Sequence, residues 1–154
     1  MLKKILFSLF AFTLGVLVAF LTEGFFRHSI QTIFVVSTSH KIIFVGKNFY
    51  LFLNNYYYFT FGVAFVILKV DNYNLKAKQI LLNLIASLII FMLFLIGIAS
   101  LDAHLKLSQC TACNDGIRKI HWNTIDYGTI IGTSILFAVV PNFISLLKNN
   151  RSKD

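Results

Sequence analysis

The sequence predicts an all-α integral membrane protein, folded as a four-transmembrane-helix antiparallel bundle, and three observations carry that prediction. Of its 154 residues, 57% are hydrophobic and 13% are charged, a balance too apolar for a soluble domain. Four uncharged runs, 5–22, 48–68, 79–101 and 127–147, recur along the chain, with every charge lying between or beside them. The third run, bounded by Lys78 and Asp102, would reach about 34 Å as a helix, the thickness of a bilayer's hydrocarbon core. No Pro-, Gly- or Ser-rich linker divides the chain, so 1–154 reads as a single membrane domain.

The first span is expected at about 5–25, opened by Lys3 and Lys4. Its apolar run is longer than a cleavable signal segment and ends Ala19-Phe20-Leu21-Thr22 rather than in an A-x-A site, so it reads as a retained span. Ala11, Gly15 and Ala19 recur every four residues, a small-residue face that lets a neighbouring helix approach closely. Glu23 and Arg27 continue that face and stand one helical turn apart, the spacing of an ion pair or polar site.

The segment 27–47 is an outer loop in this reading. Its patches Thr32-Ile33-Phe34-Val35-Val36 and Ile42-Ile43-Phe44-Val45 suit strands, with Ser37-Thr38-Ser39-His40 between them as a turn, which suggests a short β-hairpin. The alternatives are an interfacial helix or a continuation of the first helix, since Ile30, Ile33, Phe34 and Val36 can share one helical face.

The second span, about 48–68, carries the cluster Tyr56-Tyr57-Tyr58, which fits an interfacial aromatic belt. Asn54, Tyr58 and Gly62, at i, i+4 and i+8, form a polar stripe suited to packing and interhelical hydrogen bonding rather than to ligand binding. A short polar link leads to the third span, about 79–101, and can only join antiparallel neighbours. The outer loop 102–126 follows, with an Asn114-Asp115-Gly116 turn signal. The last span, about 127–147, holds Gly128 and Gly132 in a G-x-x-x-G packing pattern, and Pro141 as a site for a tolerated kink.

With four spans both termini share a side with the 69–78 link, and that side holds eight of the Lys and Arg residues against six opposite. Positive-inside then predicts cytoplasmic termini, in the plasma membrane, with both long loops outside. The net charge of +8 is spread beside the apolar runs rather than along one stripe. The expected partner is therefore the lipid bilayer, together with other membrane proteins or copies of the chain, and not nucleic acid.

Most polar chemistry lies in loop 102–126. Cys110 and Cys113 form a C-x-x-C whose simplest outcome outside the cell is a disulfide; a redox-active pair is the second use. Four-helix membrane oxidoreductases of the vitamin K epoxide reductase kind also present a C-x-x-C near a membrane face. They relay electrons through a second cysteine pair, which this chain lacks, so membership does not follow. His104, Cys110, Cys113 and His121 together match the stoichiometry of tetrahedral zinc, though not the spacing of a zinc finger; no cofactor is predicted, and zinc at these residues is a subordinate alternative. Glu23, Asp102 and Asp126 are the candidates for a proton or cation site across the bundle. No phosphate-binding, hydrolase or metalloprotease motif is present. The leading functional expectation is an accessory or structural membrane protein rather than an enzyme; a thiol-disulfide redox protein and a small transporter or channel component are the alternatives.

Overall fold

The computed structural model describes residues 2–38, 42–46, 53–72, 77–109 and 118–151. They form α1 (Leu2–Ser37), β1 (Ile42–Val45), α2 (Asn55–Asn72), α3 (Ala77–Gln109), β2 (Arg118–His121), a 3-10 turn (Trp122–Thr124) and α4 (Tyr127–Arg151). Three of the four helices, over Ile5–Ser37, Ala77–Ser108 and Tyr127–Ile144, are long and apolar enough to cross a membrane. The 18-residue α2 is not among them, because its short length includes the tyrosine cluster, Lys69 and Asp71.

The helix ends follow from local chemistry. Asn54 caps α2, its Oδ1 accepting the Tyr57 N–H at 3.1 Å, so the helix starts later than position 48. Asp126 caps α4 in the same way, accepting the Thr129 N–H at 3.0 Å. On α1 the buried face does not stop at residue 25: Ile30 and Phe34 are fully buried and lie in step with Ala19 and Glu23. Burial as a helix therefore outweighs the strand propensity of Thr32-Ile33-Phe34-Val35-Val36, and the expected β-hairpin does not form. Ile42–Val45 is a strand, but it pairs in parallel with Arg118–His121 between α3 and α4, Ile42 opposite Arg118 and Val45 opposite His121.

Contacts between the helices give their directions. Tyr58 reaches Glu23 and Lys69 reaches Phe7, so α2 returns antiparallel along α1. Asn142 bonds Ser87 and Phe94 stacks on Phe137, so α4 runs antiparallel to α3. Asn54 meets Asp126 and Thr60 meets Gly132, which sets α2 parallel to α4. At the C-terminal end of α1 sits a small cap, in which Trp122 stacks on Phe44 at 4.2 Å and Phe44 meets Phe34 edge-on at 6.3 Å.

The outer surface is unlike that of a water-soluble bundle: Leu6, Phe10, Leu21, Leu82 and Leu93 are among the most exposed side chains. The core combines large apolar residues such as Ile30, Phe34, Tyr57 and Ile131 with small or polar ones such as Ala11, Ala19, Glu23, Thr60 and Ser134. Large apolar side chains over the outside are what a hydrocarbon solvent favours, and small residues between the helices let them approach closely.

Candidate functional site

Glu23 is the buried acid of the described core, 6% exposed, at a point on α1 where the small-residue face ends. Arg27, one turn later, donates to its Oε1 at 2.5 Å, the two side chains being 13% and 8% exposed. From α2, the Tyr58 hydroxyl donates to the other carboxylate oxygen, Oε2. Both oxygens are thus engaged, one by a cation and one by a neutral donor, as a buried carboxylate requires.

The network continues through α4. The Arg27 guanidinium lies 5.7 Å over the Tyr127 ring, a cation–π distance. The Tyr127 hydroxyl accepts from Gln31 Nε2 at 3.2 Å and donates to the Trp122 carbonyl at 3.2 Å. Tyr57, fully buried, donates to the Ala19 carbonyl at 2.9 Å. Polar side chains from α1, α2 and α4 therefore link the middle of the bundle to the strand cap.

One turn before Tyr58, a second knot joins the starts of α2 and α4. Asn54 Nδ2 donates to Asp126 Oδ1 at 3.0 Å, and Thr129 Oγ1 donates to Asp126 Oδ2 at 2.7 Å. A β-carbon on Gly128 would strike the Asn54 side chain, and one on Gly132 the Tyr56 ring. Small residues there let α2 and α4 close over the knot. On α1, a β-carbon on Gly15 would meet the Phe61 carbonyl oxygen at 2.6 Å, and Ala11 and Ala19 are buried beside it on the same face.

The other sequence candidates are dispersed. Asp102 is half-buried on α3 and interacts electrostatically with Lys106 and Asp126; it is not in the Glu23 pair. His104 is exposed on α3, and His121 is exposed on β2, its Nδ1 accepting the Asn123 N–H at 3.3 Å. Cys110 and Cys113 lie outside the described residues. Among the described residues no group of three or more His, Cys, Asp or Glu side chains is arranged to hold a metal ion.

Sequence reasoning did not single out Gln31, Trp122 or Asn142 as polar partners. Gln31 carried a usable signal, standing two turns after Glu23 on the same helical face. Asn142, which donates to Ser87 Oγ at 2.9 Å, and Ser87 were visible as polar interruptions of two apolar runs. Comparison with protein-family models, curated proteins and solved structures returns no match.

Proposed function

We propose that this chain is a small multi-pass membrane protein of accessory or structural type, acting through helix and loop contacts rather than through catalysis or transport. The observation that carries this reading is the closure of the Glu23 site: its two oxygens are committed to Arg27 and Tyr58. A carboxylate so paired serves to fix helix positions. A transport site needs one that can release its partners to take a proton or cation.

In this proposal the chain crosses the membrane four times, with both termini cytoplasmic. Support comes from α2, which is too polar to qualify by composition yet runs back beside α1 from the level of Glu23 to that of Phe7. Its Tyr57, Thr60, Phe61 and Ala64 are buried against the other helices, so the polar groups of Tyr57 and Thr60 need not meet lipid. The basic excess at the 69–78 link and the termini favours the cytoplasmic side for them.

Reconstitution into sealed liposomes tests the contact role. The expected result is no proton leak or ion flux above empty vesicles for either the wild type or Glu23→Gln. A flux in the wild type that Glu23→Gln abolishes would overturn the proposal in favour of a transporter.

A further inference from the structure

A crevice of about 270 Å³ lies between the helices, lined by Phe26 of α1, Ala64 and Leu68 of α2, Leu84 and Phe91 of α3, and Ala138 of α4. Its origin is local. The α1 and α3 helices meet where the Phe26 and Phe91 rings touch edge-on at 5.5 Å and again at Ser37 and Ser100. On the N-terminal side of those contacts α1 exposes Leu17 and Leu21 while α3 exposes Leu82 and Ile85. Between the helices on that side, the small side chains of Ala64 and Ala138 leave space unfilled. Ser87, the polar lining residue, has its hydroxyl engaged by Asn142, so the crevice is apolar throughout.

The chemistry of the lining selects the occupant. Its walls are aliphatic and aromatic side chains that offer no free polar partner, the surroundings that suit a hydrocarbon chain. At its N-terminal α3 end the crevice leads to positive charge: Lys69 stands one turn beyond Phe65, another lining residue, with its ammonium 4.8 Å over the Phe7 ring. Lys78 is exposed about one and a half turns before Leu84.

We infer that this crevice binds one acyl chain of an anionic phospholipid, with the lipid phosphate held by Lys69 and Lys78. The site rests on the membrane reading proposed above, and lipid bound there would complete the packing between the α1–α2 and α3–α4 pairs. Apolar fit supplies retention of the chain, and the two ammonium groups supply preference for a negative headgroup.

Native mass spectrometry of the full-length protein tests this, using phosphatidylglycerol and phosphatidylcholine with identical acyl chains added after delipidation in mild detergent. The wild type should retain one phosphatidylglycerol with about tenfold preference over phosphatidylcholine. Ala64→Phe, which fills the crevice, should lose the retained lipid of either kind. The doubly substituted Lys69→Gln, Lys78→Gln protein changes groups at the helix ends and should still retain one lipid, without the headgroup preference. Equal retention of both lipids by the wild type, or undiminished retention by a folded Ala64→Phe protein, would overturn the inference. Carbonate extraction of the same membranes separates the two readings: a chain that resists extraction yet shows no headgroup preference overturns the lipid site alone.

Discussion

Gly15 of α1 rests against Gly62 of α2 so closely that a β-carbon on Gly15 would lie 3.0 Å from the Gly62 Cα and 2.6 Å from the preceding carbonyl oxygen. The obstacle is backbone, which cannot rotate aside as a side chain can. Gly15→Ala should therefore push the helices apart and destabilise the fold by about 1–3 kcal/mol. Gly97→Ala is the matched control, since a β-carbon there meets nothing within 4 Å. Unfolding in detergent, followed for both variants, should separate them; equal stabilities would contradict the close approach.

Arg27→Ala would leave the Glu23 carboxylate buried beside Tyr58 without its cation. Breaking one partner of a buried pair costs about 3–5 kcal/mol, whereas replacing both with apolar groups is often near neutral. The Glu23→Leu, Arg27→Met double variant should thus be more stable than Arg27→Ala alone. A double-mutant cycle on unfolding free energies checks this, and additive losses would mean that the two side chains are not coupled.

The Asn142 to Ser87 hydrogen bond is buried and joins α4 to α3. Interhelical bonds of this kind in membranes average about 0.6 kcal/mol, because the separated helices also find partners. Asn142→Ala and Ser87→Ala should each be mild, with a coupling near that value. A coupling several times larger would show that this pair, rather than side-chain packing, holds α3 to α4.

For Cys110 and Cys113, which fall outside the described residues, the proposed topology puts the loop in an oxidising compartment, where the pair should be a disulfide. Thiol labelling in intact cells, with and without reductant, checks it. Label should enter only after reduction; labelling of both thiols beforehand would exclude the bond.

The helices were legible because long uncharged runs have one economical structure in a bilayer. Their ends were less so. Extension of α1 through Ser37 depends on Ile30 and Phe34 finding a core, which residues 27–47 do not disclose by composition, and the strand Ile42–Val45 was recognisable while its partner, 76 positions on in register, was not. Pairing between two loops is set by the helices that carry them. In the site, Glu23 and Arg27 were readable from their spacing on one helix. Tyr58, Tyr127 and Gln31 join them only through packing between helices, and helix spacing alone does not give that.

In the proposed topology α2 crosses the membrane although it is the one helix of the four that is not, by itself, long and apolar enough to do so. Accessibility reporters placed at position 74, at position 114 and at the C-terminus test it most directly. The expected result is that position 74 and the C-terminus are cytoplasmic and that 114 is outside. If α2 does not cross, only three spans remain; a C-terminus outside, with position 74 also outside, would show that α2 stays on one side of the membrane.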